Sequence, residues 1–439
     1  GVSAASARLP SVLAATLAVV LMHGLFRRAL GERAGLLVAL LLPCSVLWLD
    51  KVPSAEIDMT LVGWVTAAVV LLHRALEADE SWRAGGVSPP SVLFWIGALL
   101  CVAGGTLTKW TAPAFFYLTA VPLLAWRGRL GLLFGWRHLV AVGVAVGVCS
   151  LWAAAVVSEV GWDALADTIR KEVAYRFAPK GGKPYPWTEV AVYPLAVLAA
   201  HLPVSAFALL TFRRSCWARF DDRGRRLLQL LHCWTWPNLL FWTLVPNHNV
   251  RYALPMSAGL MGLGVMGLLA WRKQPLPNPS PKKGGASNTP IQSGSAGPEG
   301  ATRVGGAGSP SLLRGGGWGV RLLLPFLLCW AVAKVAFVEV VIPNRTAGRN
   351  ADATGAALRE HVPGGPLYLF KLKDEGVTFY YARPAVRLAD PQSLPPGASA
   401  LLIRQEWEDR ALFGHLTLVC CMRDQQGDPI YLVRKLERP

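Results

Sequence analysis

The chain predicts a mainly α fold: a polytopic membrane helix bundle followed by a small C-terminal α/β domain. Three observations predict it. Of 439 residues, 53% are hydrophobic and only 16% charged, against about a quarter charged in ordinary soluble domains. Apolar runs recur that are long enough to cross a bilayer core, which takes roughly 20 helical residues. After Pro343 the composition turns to that of a soluble domain.

In order, the spans fall at about 9–29, 34–49, 54–77, 91–108, 112–126, 137–158, 190–212, 227–245, 251–271 and 318–342. Two of them, 34–49 and 112–126, are short, which calls for local thinning of the bilayer or an end part-way across. Residues 1–272 thus form a transmembrane core. Residues 273–317, rich in Pro, Gly, Ser and Asn, read as a flexible cytoplasmic linker. The last transmembrane helix, 318–342, leads into an extracytoplasmic α/β domain, 343–439. There a polar helix is expected at 348–361, then strands in "PLYLF", "VTFYYA", "ASALLIR", "LTLVCCM" and "IYLVRKL". The opening "GVSAASARLP" has neither Met nor signal peptide and reads as the end of a loop, so one more span and an external loop are expected before Gly1.

Orientation follows from the basic residues. Arg27, Arg28 and Arg33 follow the first span, Arg74 and Arg83 the third, Arg127, Arg129 and Arg137 the fifth. A longer series from Arg213 to Arg226 follows the seventh, and Arg272 and Lys273 the ninth. All fall on one side if every span crosses, and the positive-inside rule makes that side cytoplasmic. The formal charge of +17 is therefore spread over helix flanks, not gathered into a nucleic-acid-binding patch. The eight cysteines include no CxxC pair, and those inside apolar runs behave as small hydrophobes.

The other face collects 50–58, 109–111, 159–189 and 246–250. In "LWLDKVPSAEIDMTLVGW" Ser54 suits a helix N-cap, with Glu56 in the first turn. Glu56 and Asp58 are two apart, about 200° around a helix, so they do not form one dyad. Two readings stand for them: favourable charge at the positive end of a helix dipole, or, for Asp58, a functional carboxylate at the membrane boundary. Lys109 reads either as a snorkelling ammonium beside Trp110 or as a phosphate contact. Arg251, followed by Tyr252, is an arginine where positive-inside would not put one, which favours an anion partner. The 159–189 loop carries "YRFAPKGGKPYPW", where basic Arg176 and Lys183 are interleaved with aromatics. That pattern suits a sugar phosphate, or an amphipathic segment on anionic lipid. The sequence contains no HExxH, DxD-type pair or P-loop.

Several stretches together resemble one family. "ARLPSVLAATLAVVLMHGLFRRALGERAGLLVALLL" with "DKVPSAEIDMTL", then "GGTLTKWTAPAFFYL", "YRFAPKGGKPYPW" and "NVRYALPMSAGLMGL" are similar, in that order, to segments of the ArnT/PMT-like GT-C glycosyltransferases. The resemblance implies a GT-C-type bundle in the membrane. It implies transfer of a sugar, with inversion, from a polyprenyl-phosphate carrier to an acceptor outside the cytoplasm; the short loops and simple layout suit a bacterial inner membrane. The resemblance gives Asp58 the place of the family's fourth-span acid, and Lys109, Arg176 and Arg251 places lining the donor cavity. Lys183, Tyr252 and Glu56 complete the expected donor-binding set. "TKW" departs from the family's Lys-Gly-Pro, and the loop lacks a His often present there. No metal ligand is assigned and no cofactor is required, though a divalent ion stays open. The expected partners are the lipid-linked sugar, membrane lipids and an unnamed acceptor, with no nucleic acid. A carrier or flippase for lipid-linked sugars, or a non-catalytic binder, remains the alternative.

Overall fold

The computed structural model describes residues 4–54, 56–83, 91–177, 185–247, 249–272, most of 328–341, 344, 351–362, 364–372, 375–424 and 427–436. The chain divides into two compact units, Gly1–Gly315 and Gly316–Pro439. The expected linker lies outside the described residues, and the expected span 318–342 lies largely outside them.

Among the described residues the first unit is built of helices and the turns that join them. Its helices are α1 Ala4–Leu30, α2 Glu32–Leu41, α3 Val46–Lys51, α4 Ile57–Arg83, α5 Ser91–Thr108, α6 Ala112–Trp126 and α7 Trp136–Val160. They continue as α8 Trp162–Phe177, α9 Trp187–Ala200, α10 Val204–Ala208, α11 Arg214–Trp217, α12 Asp222–Leu244 and α13 Leu254–Arg272. Five helical stretches among the described residues are long and apolar enough to cross a membrane, or six if one bent pair counts as a single span.

Burial separates the roles of these helices. In the most apolar window of α13, 89% of residues are buried within the protein; in that of α7 only 11% are. A helix that is apolar all round must sit in a core or in lipid. α13 takes the first course and α7 the second, since α7 leaves Val144, Val148, Leu151 and Trp152 exposed. This is an integral membrane protein.

α13 can be central because its surface is small. A Cβ on Gly264 would run into the carbonyl oxygen of Val204, and one on Gly267 into that of Phe207. Glycine at both positions lets the backbone of α10 lie against α13, as in close membrane helix packing. Polar ties lock other neighbours to it: Trp48 Nε1 of α3 donates to Ser257 Oγ at 2.8 Å, and Trp234 Nε1 of α12 to Pro255 O at 3.1 Å.

Four sequence expectations need correction here. The run 34–49 is not one span: Pro43 sits in a 3-10 turn, Leu42–Cys44, that separates α2 from α3, because proline cannot continue an α-helical ladder. The run 190–212 is two helices bent by 107°, with Pro203 at the break. The stretch 159–189 is not only loop, since α8 occupies sixteen residues of it. Finally, α4 starts at Ile57, not at Ser54. Ser54 Oγ donates to Asp50 O at 2.8 Å, so its side chain is turned back toward α3 and Glu56 precedes the helix.

The second unit carries a five-stranded mixed sheet in the order β2-β1-β3-β5-β4. The strands are β1 Leu367–Leu369, β2 Ala385–Arg387, β3 Ser399–Ile403, β4 Leu416–Arg423 and β5 Pro429–Lys435. β1 runs parallel to β2 and β3, whereas β5 is antiparallel to β3 and β4. The polar helix expected at 348–361 is present as Ala351–His361. "VTFYYA" is a helix, Glu375–Tyr381, and not the expected strand. Its β-branched and aromatic residues favour a strand locally, but Val377 and Tyr381, four apart, are both fully buried in the same cluster as Leu358. Packing at helical spacing outweighs the local preference. Glu406 closes a corner of this unit: its carboxylate accepts from Lys371 N at 2.8 Å and Ile403 N at 2.9 Å while only 3% exposed.

Candidate functional site

The polar cluster of the first unit is built where α3, α4, α5 and the turn before α13 end. α3 closes with Asp50 and Lys51, and the chain then turns through Pro53 into α4. Ser11 Oγ of α1 donates to Glu56 O at 3.0 Å, which pins that turn against α1. Asp58 lies in the first turn of α4. Lys109 follows the last residue of α5. Arg251 and Tyr252 lie in a 3-10 turn, Val250–Ala253, whose start Asn249 caps by accepting from Arg251 N at 3.1 Å.

Two ion-paired groups result. Asp58 pairs with Lys109 Nζ, and both side chains are nearly buried, at 6% and 10% exposure. Glu56 Oε1 accepts from Lys51 Nζ at 2.8 Å, and its Oε2 lies 3.7 Å from Arg251 Nη1. Lys51 also reaches Asp50 Oδ2 at 3.4 Å. Burial works against the Lys51 ammonium, but Glu56 and Asp50 outweigh it and hold its pKa above the ordinary lysine value. Tyr252 stands between the groups: the Lys109 ammonium lies 5.2 Å from its ring centre and the Arg251 guanidinium 5.9 Å. Behind Tyr252 the aromatic wall continues through Trp242 at 5.8 Å to Phe115, stacked on Trp242 at 5.2 Å.

The structure thus brings together Glu56, Asp58, Lys109, Arg251 and Tyr252. Glu56 and Asp58 do face different partners, as their spacing requires. The anion beside Arg251 is one of the chain's own, Glu56. Lys183 lies outside the described residues, and so does the side chain of Arg176, whose backbone ends α8. Three contributors were not expected as site residues. Asp50 and Lys51 were legible as part of the charge cluster; Trp242 carried no signal, being one of eighteen tryptophans.

Chemically, the cluster holds three cations and three carboxylates: Lys51, Lys109 and Arg251 against Asp50, Glu56 and Asp58. It is not saturated. Glu56 Oε2 and Arg251 Nε are buried without a hydrogen bond, a costly state that a polar ligand would relieve. An incoming phosphate can be held by exchanging an internal carboxylate for its own oxygens. Among the described residues no group of three His, Cys, Asp or Glu side chains could hold a metal ion.

An integral membrane bundle with a balanced ionic cluster at one end of its helices is the class that fold and site define. The sequence profile of the family described as dolichyl-phosphate-mannose-protein mannosyltransferase matches residues 1–153. The structure is similar to that of ArnT from Cupriavidus metallidurans bound to undecaprenyl phosphate, with a TM-score of 0.60 and 17% identity over 98% of this chain and 84% of that one. Against the apo state of the same protein the TM-score is 0.59, with 16% identity over 97% and 83% of the two chains. No curated protein sequence matches. The structure has an ArnT-like fold.

Proposed function

We propose that the protein is a membrane glycosyltransferase that moves a sugar from a polyprenyl-phosphate carrier to an extracytoplasmic acceptor, a glycan, lipid or protein, with inversion. The observation that carries this reading is the Asp58–Lys109 ion pair, nearly buried at the mouth of α4 with the Tyr252 ring against the lysine. The solved relative's bound undecaprenyl phosphate supports a lipid-phosphate donor.

In this reading the donor phosphate draws the Lys109 ammonium and the Arg251 guanidinium away from their carboxylates. Each cation then stabilises the charge that gathers on the phosphate as the glycosidic bond breaks. Losing Lys109 frees an Asp58 oxygen, which accepts the proton of the acceptor hydroxyl. The hydroxyl oxygen bonds to the anomeric carbon from the face opposite the phosphate, and the phosphate leaves with the bonding electrons. Arg176 and Lys183 supply further positive charge to the donor on the strength of the family resemblance. Asp50, Glu56 and Lys51 act as a frame that fixes the turn before α4. In keeping with the positive-inside rule, this reading has the Asp58 end of α4 on the extracytoplasmic face, with a bacterial inner membrane as the proposed location.

The bent pair α9–α10 favours a second reading, since broken helices are a transporter feature: a carrier or flippase of the same lipid-linked sugar. Purified Asp58→Asn protein in liposomes decides between them. With the donor supplied, loss of sugar transfer and of polyprenyl phosphate release, with donor binding retained, is the expected result. Wild-type protein that scrambles labelled donor between leaflets while transferring nothing would sink the transferase reading.

A further inference from the structure

Charge gathers a second time at the far end of α4, and the proposed transfer does not use it. Asp58 and Asp79 stand 21 residues apart on that helix, or about 32 Å at 1.5 Å per residue. That is close to the roughly 30 Å hydrocarbon thickness of a bilayer, so the second cluster sits at the opposite headgroup level.

Part of this cluster is an interlock. Asp79 is 4% exposed and pairs with Arg129 Nη2 and Arg137 Nη1. Glu80 accepts from Arg226 Nη1 at 2.9 Å. These contacts tie α4 to the α6–α7 connection, to the first turn of α7 and to α12. An interlock alone would balance cations against carboxylates, and the rest of the cluster does not.

A groove of about 540 Å³ is lined by Arg28, Arg74, Arg223 and Arg226 with Glu77 and Glu80. A second cavity of about 360 Å³ shares Glu80 and Arg226 and adds Arg127 and Arg129. Six arginines therefore line the two cavities with Glu77 and Glu80; one of the six, Arg129, is also held by Asp79, which leaves five arginines against two carboxylates. Both carboxylates are already engaged, Glu77 by Arg74 at 2.8 Å and Glu80 by Arg226. Arg28 and Arg223 make no hydrogen bond or ion pair with any described residue. Arg127, with its side chain 7% exposed, has its Nη1 buried without a hydrogen bond, 3.6 Å from the nearest carboxylate oxygen of Glu80.

Guanidinium groups held this close repel one another unless an anion lies among them, and their planar forks match phosphate oxygens in pairs. We propose that this groove binds the phosphate of an anionic phospholipid headgroup. Free phosphate presents the same oxygens from the aqueous side. The site is independent of the sugar transfer at the other end of α4.

The test uses the full chain and two probes. In native mass spectrometry from detergent, the wild-type protein retains phosphatidylglycerol in preference to phosphatidylcholine. The double variant Arg28→Gln/Arg223→Gln, which breaks no hydrogen bond or ion pair among the described residues, lowers that retention at least about tenfold without shifting the unfolding temperature in lipid-free detergent. Arg214→Gln, an exposed arginine outside the groove, leaves retention unchanged. If millimolar inorganic phosphate raises the unfolding temperature of wild type and not of the double variant, the same groove fills from solution. Equal phosphatidylglycerol retention by wild type and double variant overturns the proposal, as does an equal loss in Arg214→Gln.

Discussion

Asp58 and Lys109, 51 residues apart in sequence, form a nearly buried ion pair across the start of α4 and the end of α5. Each suits its own helix end, an acid in the first turn of α4 and a cation just after α5, but only the fold brings the two together. A charge removed from such a pair leaves its partner buried and uncompensated, at about 3–5 kcal/mol, so stability and activity must be separated. Asp58→Asn is expected to lower sugar transfer by about 10²–10⁴-fold, the usual worth of a positioned base. The double variant Asp58→Asn/Lys109→Gln should regain much of the unfolding temperature lost by either single change and none of the activity. Activity in the double variant near that of wild type would remove Asp58 from the chemistry.

The ring of Tyr252 meets both Lys109 and Arg251 through its face. Tyr252→Phe keeps that face and is expected to bind the lipid-phosphate donor like wild type. Tyr252→Leu removes a contact worth about 0.5–2 kcal/mol, so the donor's dissociation constant should rise several-fold. Equal binding by both variants would make the ring a packing element only.

Lys51 supplies a pH dependence. Its pKa is raised above 10.5 in the folded protein by Glu56 and Asp50. A raised pKa stabilises the fold below the ordinary lysine value, and that contribution disappears as pH rises through the folded value. Wild type should therefore lose unfolding temperature more steeply than Lys51→Gln as pH rises beyond the ordinary lysine value of 10.5. Parallel curves for the two proteins would deny the contact any part in stability.

Gly267 has the Phe207 carbonyl against it. Gly267→Ala is expected to cost about 1–3 kcal/mol by overpacking, read as a lower unfolding temperature in detergent. Gly143→Ala on α7, where nothing lies within 4 Å of a new Cβ, is the neutral control.

In the second unit, Glu406→Ala strips two backbone N–H groups of their acceptor. Each contact is a part-buried hydrogen bond to a charged acceptor, a kind worth about 1.5–3 kcal/mol. Hydrogen exchange at Lys371 and Ile403 in the full chain should speed up, with α13 unchanged.

What the sequence determined by itself was set by length and hydropathy. Runs such as 91–108 and 137–158 must become membrane-length helices because a bilayer satisfies no backbone hydrogen bonds, and α5 and α7 are those runs. The same logic drew Asp58, Lys109 and Arg251 to one side before any coordinates, since charge between apolar runs has only the membrane surface to occupy. Tertiary structure decided the rest. Only packing selects α13, not the more apolar α7, as the buried centre, because close approach depends on which face carries glycine. Only packing turns "VTFYYA" into a helix, since burial of Val377 with Tyr381 outweighs strand preference. And only the three-dimensional fold pairs Asp58 with Lys109 but Glu56 with Lys51 and Arg251: partner choice is fixed by distances of a few ångströms between chain segments that no local pattern encodes.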